Sequence, residues 1–158
     1  MKRKGILNSE LSHAIAAMGH TDIMMVVDAG FPIPRDAWRI DLALSKDDPS
    51  IEKILQLISK EIIVETVSVA EEVPENNPAL DREVRKLFPA SEIGYVAHKE
   101  ILEKISKEAK VIIRTGAFNP WGNVALTSGV FAPDWFNKPE VVTPPEYQKI
   151  IDRLKEAQ

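Results

Sequence analysis

Short apolar runs alternate along this chain with segments whose apolar residues recur at helical spacing. The run from Ile23 to Val27, IMMVV, is wholly apolar over the length of a strand, which is typical of a strand covered on both faces. Further strands are predicted over residues 38–44, 62–70, 93–97, 111–115 and 124–130, and helices over residues 7–18, 49–58, 77–88, 99–107 and 145–157. Such alternation predicts a layered α/β domain.

The connection over residues 116–122 is too short for a helix, so the two strands that it joins are expected to meet antiparallel. We therefore predict a three-layer α/β/α fold with a mixed, largely parallel sheet of about six strands. A chain of 158 residues is long enough for one domain with a full core. That domain is expected to span residues 1–130. Residues 131–158, rich in proline and aromatic side chains, are expected to form a C-terminal extension, a strap with a short helix, which is favoured over a substrate lid.

Composition excludes several classes of function. Twenty basic against 24 acidic residues leave a net charge of -4, without the basic excess that is typical of nucleic-acid binding. The chain has no cysteine, which excludes disulfides and thiolate metal ligands. Polar residues interrupt the N-terminal segment, and no run approaches the length of a membrane span. We expect a cytoplasmic protein with neither nucleic acid nor membrane as its partner.

Three ionisable residues stand at the ends of predicted strands. His20 lies on the turn between the first helix and the first strand, where it either faces a ligand or caps the helix C-terminus. Asp28 follows the first strand, and in α/β sheets ligands bind outside the carboxyl ends of strands. The alternative for Asp28 is a carboxylate that bonds only to loop amides. His98 follows a later strand and repeats the pattern.

The sequence NPWGN follows a further strand. Trp121 offers a flat apolar face and Asn123 an amide with both donor and acceptor, a combination that suits a sugar; the alternative is a buried tryptophan with Asn123 closing a turn. Three histidines without ligand spacing predict no metal site, and no glycine-rich phosphate motif is present. The expected chemistry is therefore proton transfer without a cofactor.

The spacing of His20 and Asp28 poses a geometric problem. Eight extended residue steps at about 3.3 Å each would separate them by up to roughly 26 Å, too far for one small ligand. Either the chain turns at one end of this run, or two subunits assemble one site. We favour the second alternative, which requires a homo-oligomer for activity.

Seven motifs occur in order over residues 1–130: KGILNSELSHAIAAMGHTD, VVDAGFPIP, RIDLAL, VAEE, YVAH, VIIRTG and GNVAL. In these motifs the chain resembles the D-ribose pyranase and L-fucose mutarotase family, and it is closer to the pyranase branch. The resemblance implies a cofactor-free isomerase that interconverts the cyclic forms of D-ribose or a related aldose. It also implies a ring-shaped homo-oligomer, typically a decamer, with sites at subunit boundaries.

The resemblance assigns roles residue by residue. It implies that His20 is the proton donor and that the sugar is bound by Asp28, His98 and the sequence Trp121, Gly122 and Asn123. The chain departs from the family pattern in having Trp121 for a tyrosine, Leu102 for a basic residue and Ala117 for a carboxylate. The alternative function is a non-catalytic sugar-binding or regulatory module associated with sugar uptake.

Overall fold

The computed structural model describes residues 1–156, and Ala157, the predicted end of the last helix, lies outside them. Its centre is one six-stranded sheet in the order β2-β5-β1-β6-β3-β4. In chain order the strands are β1 (Ile23–Val27), β2 (Arg39–Asp41), β3 (Val64–Ala70), β4 (Glu92–Val96), β5 (Val111–Arg114) and β6 (Asn123–Ser128). All six predicted strands are present, although β2 is shorter than predicted.

The directions of the strands determine which strand ends lie together at each edge of the sheet. The pairs β1·β5, β2·β5 and β3·β4 are parallel, whereas β6 runs antiparallel to both β1 and β3. The predicted direction of β6 is therefore right. Its predicted pairing with β5 is wrong, because β1 lies between the two. The loop over residues 116–122 passes the end of β1, where Ala29 N donates to Ala117 O at 2.9 Å.

Helices cover both faces of the sheet. Side chains accept hydrogen bonds at three helix N-termini: Asn8 caps α1, Ser50 caps α2 and Asn77 caps α4. The helices are α1 (Ser9–Ala16), α2 (Ile51–Ile58), α3 (Val73–Asn76), α4 (Pro78–Leu87), α5 (His98–Glu100), α6 (Ser106–Glu108), α7 (Ala132–Phe136) and α8 (Pro145–Glu156), with π-helical turns over Ile101–Ile105 joining α5 to α6.

The central strands are buried on both sides. Met24, Met25, Val26 and Val27 of β1 are each 0% exposed, and most residues of β5 and β6 are buried as well. Side chains that point to opposite faces of a strand are both buried only when each face is covered. The predicted three-layer α/β/α fold with a mixed sheet is confirmed. Because β1 is fixed in the middle of this core, the residues at its two ends are rigidly placed.

The C-terminal extension packs against the edge of the sheet at which the parallel strands begin, called the amino edge below. The ring centroids of Phe136 in α7 and Tyr147 in α8 are 4.6 Å apart, and Arg153 of α8 lies 3.9 Å from Glu92 at the start of β4. The short terminal helix is present, and α7 precedes it within the predicted strap. Within residues 1–156, no helix has the length and apolar character needed to cross a membrane.

Candidate active site

The carboxyl edge of the sheet brings together residues that are distant in sequence. Asp28 follows β1 and His98 follows β4, and both strands end at this edge. Because β6 runs the opposite way, its first residue, Asn123, lies at the same edge and pairs with Val27. The sheet therefore places Asp28, Asn123 and His98 along one side, as the sequence predicts for a binding site outside strand ends.

Asp28 forms hydrogen bonds within the loop that follows β1, and it also lines a cavity. Its Oδ1 accepts from Gly30 N at 2.7 Å, and its own N–H lies 3.4 Å from Oδ1 of Asn123. Burial raises the pKa of the Asp28 carboxyl above its ordinary value, opposed by hydrogen bonds from Gly30, Asn123 and Phe31 and by the nearby His98. Bonding to the loop does not exclude a ligand-binding role, since Asp28 also lines a cavity.

A cavity of 460 Å³ opens beside Asp28 and is large enough for a monosaccharide. Asp28 and Arg114 contribute charged groups and Trp121 an aromatic face; the lining is completed by Ala29, Gly30, Ala117, Phe118, Asn119 and Pro120. A carboxylate beside an aromatic face matches the polar hydroxyls and the apolar ring face of a sugar. His98 lies outside this lining, although close enough to Asp28 to influence the pKa of its carboxyl.

The loop that carries Trp121 has a conformation that few side chains allow. Trp121 has a φ of 53°, in the left-handed region that bulky residues rarely adopt. A Cβ at Gly122 would come within 2.7 Å of the carbonyl oxygen of Asn119, so only glycine fits there. Asn77 Nδ2 donates to Pro120 O at 2.8 Å, which ties this loop to the start of α4. These contacts fix the backbone of the loop that places Trp121 in the cavity lining.

One acidic residue at this edge was not among the residues singled out from the sequence. Glu72 follows β3, and β3 ends beside β4, with Ala70 paired to Val96. The buried atoms Glu72 Oε2 and His98 Nε2 have no hydrogen-bond partner among residues 1–156. A buried polar atom without a partner destabilises a fold, so these two atoms are candidates to bind a ligand. The signal was available: Glu72 follows its strand just as Asp28 and His98 follow theirs.

His20 lies at the opposite, amino edge of the sheet. Its Nε2 is 3.1 Å from Oε2 of Glu65, the second residue of β3. The predicted alternative, that His20 caps the C-terminus of α1, is wrong, because Lys110 Nζ donates to Ala17 O at 2.7 Å and serves that end of the helix. Thr21, with a φ of 69°, turns the chain between His20 and β1.

Within one chain His20 and Asp28 remain apart. The turn at Thr21 does not bring them together, since His20 contacts Glu65 at the amino edge and Asp28 contacts Asn123 at the carboxyl edge. The five residues of β1 separate the two edges by about 16 Å at roughly 3.3 Å per residue. The single chain therefore places His20 and Asp28 at opposite edges of the sheet. Within residues 1–156, no three histidine, aspartate or glutamate side chains form a cluster suited to a metal ion.

Known proteins share this arrangement of sequence and fold. The model of the RbsD / FucU transport protein family matches residues 1–131, which is most of the chain. The chain belongs to the RbsD/FucU family. The resemblance drawn from the sequence motifs is thus confirmed.

Individual relatives of this RbsD/FucU protein carry a more specific name. It is 52% identical over 147 residues to D-ribose pyranase 1 of Streptomyces griseus, covering 93% of this chain and 97% of that one. It is 48% identical over 157 residues to D-ribose pyranase 2 of Rubrobacter xylanophilus, covering 99% and 100%. A solved structure of Bacillus subtilis RbsD complexed with D-ribose superposes with a TM-score of 0.78 at 38% identity, covering 83% of this chain and 99% of that chain.

Proposed function

We propose that this protein interconverts the ring forms of D-ribose, with His20 as the proton-transfer group and Asp28, His98, Trp121, Gly122 and Asn123 as the sugar-binding residues. The observation that carries the proposal is the cavity lined by Asp28 and Trp121 in a chain about half identical to proteins named D-ribose pyranase. No cofactor is needed, because ring opening only moves protons and breaks one C–O bond.

The chemistry follows from the structure of a hemiacetal. Opening the pyranose breaks the bond between C1 and the ring oxygen O5: His20 delivers a proton to O5, and the anomeric hydroxyl loses its proton to water. The aldehyde then recloses through O4 to the furanose; O4 gives its proton to His20, and the carbonyl oxygen gains one from water. Positioned acid-base catalysis of this kind contributes about 10² to 10⁴-fold. Protons balance over the cycle, and the enzyme returns to its starting state.

The separation of His20 from Asp28 within one chain supports a site that is completed by a second copy. His20 reaches the sugar in the cavity of another copy, so that one copy supplies the imidazole and the next supplies Asp28 and Trp121. We propose a ring-shaped homo-oligomer with sites at its subunit boundaries, and a decamer as its size. The exposed position of His20, whose side chain is 35% accessible in the single chain, supports this arrangement.

The test is exchange NMR on D-ribose with the parent protein and with His20→Ala. We expect the parent to accelerate exchange between pyranose and furanose signals, and His20→Ala to lower the rate by about 10² to 10⁴-fold with fold and assembly retained. His13→Ala is the control, since His13 is an exposed histidine on α1 that contacts Trp38. Shifted sugar signals without faster exchange would instead identify the alternative function, a binding or regulatory module in sugar uptake.

A further inference from the structure

The contacts of His20 at the amino edge indicate which of its two ring nitrogens can bind a substrate. Nε2 lies 3.1 Å from Glu65 Oε2, within hydrogen-bond distance. An ionised carboxylate only accepts hydrogen bonds, so Nε2 must carry the proton in this contact. The other ring nitrogen, Nδ1, is then the one left for a substrate.

Glu65 itself is held on two sides. Its Oε1 lies 3.3 Å from Val130 N, which donates to it. Gly129 packs so closely that a Cβ there would lie 2.3 Å from Cγ of Glu65. The Glu65 side chain is 19% accessible, about half the accessibility of His20. A carboxylate anchored by a backbone amide and by a glycine contact is a fixed acceptor, unlike a mobile surface glutamate.

We infer that Glu65 is the positioning residue of His20: it fixes the imidazole with Nε2 protonated and presents Nδ1 to the sugar of the neighbouring copy. This inference rests on the proposed role of His20. In the imidazolium form Nδ1–H gives its proton to the ring oxygen O5 as the C1–O5 bond breaks. The neutral ring, still protonated at Nε2, then takes back the proton of the hydroxyl that recloses the ring. Glu65 neither gains nor loses a proton in this cycle.

The test is Glu65→Gln, which keeps the size of the side chain but allows its amide to donate to Nε2 as well as accept from it. With the tautomer no longer fixed, we expect the kcat for ring exchange to fall by about 10-fold while KM changes less than about twofold, in line with other groups that orient a functional histidine. The ¹⁵N NMR signals of His20 give a readout independent of activity: protonation of Nε2 in the parent, and a mixture of the two tautomers in the variant.

Glu92→Gln is the matched control, because Glu92 starts the neighbouring strand β4 at the same edge and pairs with Arg153 instead of a histidine. It should change neither kcat nor the His20 signals. Glu65→Asp keeps a carboxylate that only accepts hydrogen bonds. A kcat near the parent's with Nε2 protonated supports the role of Glu65, and a kcat that does not follow the tautomer overturns it.

The outcomes separate this inference from the proposed function. A Glu65→Gln protein that keeps the parent's kcat, or loses rate with an unchanged tautomer, overturns the role of Glu65. If such a result accompanies a loss of exchange in His20→Ala, only the role of Glu65 fails. If His20→Ala itself keeps the parent's exchange rate, the proposed function fails.

Discussion

At the scale of single residues, the carboxyl edge of the sheet contains acidic side chains that are partly buried. Burial raises the pKa of the Asp28 carboxyl, so ionising this group costs more free energy in the folded protein than in the unfolded chain. Glu72 has a buried oxygen without a partner within residues 1–156. Groups that destabilise a fold and line one edge are expected to be retained for ligand binding.

Asp28→Asn is predicted to weaken D-ribose binding about 10-fold or more while changing kcat less, because a hydrogen bond to a charged group contributes roughly 1.5–3 kcal/mol. The variant keeps the oxygen that accepts from Gly30. Binding is measured by calorimetry and turnover by exchange NMR. Equal losses in affinity and turnover would contradict a purely binding role and give Asp28 a share in proton transfer.

The same variant makes a prediction about stability and pH. A carboxyl whose pKa is higher in the folded state destabilises the protein above that pKa and has no such effect below its unfolded pKa. The Tm of Asp28→Asn should therefore not fall below the parent's at neutral pH, and any gain should vanish as the pH falls through the carboxyl's pKa. Asp36→Asn, at an exposed aspartate, is the control for unfolding scans across pH. A gain that grows toward low pH would contradict the account.

Glu72→Gln is predicted to weaken D-ribose binding about 10-fold, because the amide no longer offers a charged acceptor to a sugar hydroxyl. Thermal stability should hold or rise, since Glu72 Oε2 has no hydrogen-bond partner within residues 1–156 that the substitution could remove. Glu71→Gln is the matched control, because Glu71 is the exposed neighbour on the same strand end. Unchanged affinity in Glu72→Gln would remove Glu72 from the site.

At the scale of elements, local pattern was sufficient for the strands but not for their order. The apolar run Ile23–Val27 predicts a strand covered on both faces, and β1 is one. The sequence of the loop over residues 116–122 does not show that the loop passes β1 instead of turning back beside β5. Strand order depends on packing between residues that are distant in sequence. Glu65 was not predicted for a related reason. From sequence alone, a glutamate at the start of a strand is expected to be a solvent-exposed side chain.

The C-terminal extension is the element whose role needs a test. We propose that it is a strap over the amino edge, since it meets Glu92 through Arg153 and His20 through Tyr147, whose ring centroid is 6.4 Å from that of His20. Deleting residues 131–158 should lower Tm by about 2–4 °C for each kcal/mol of lost packing and leave ring exchange in place. Loss of exchange by an assembled, folded deletion protein would make the extension a lid.

At the scale of the whole molecule, the account requires more than one copy. His20 and Asp28 stand at opposite ends of the buried strand β1, so the proposed site takes its residues from two copies. Activity per chain should therefore fall when the protein is diluted until it dissociates, as followed by analytical ultracentrifugation and exchange NMR. A demonstrably monomeric sample with full activity would contradict the shared site.

The most direct test mixes two impaired proteins and measures exchange at a D-ribose concentration well below KM, where the weaker binding of Asp28→Ala also lowers the rate. His20→Ala keeps Asp28, and Asp28→Ala keeps His20, so a site shared between copies is intact wherever the two kinds meet in the right order. After dissociation and joint reassembly in equal amounts, about a quarter of the sites should be complete and ring exchange should return to about a quarter of the parent's rate. If mixed assemblies form, as native mass spectrometry would show, yet no exchange returns, each site lies within one chain and the account is wrong.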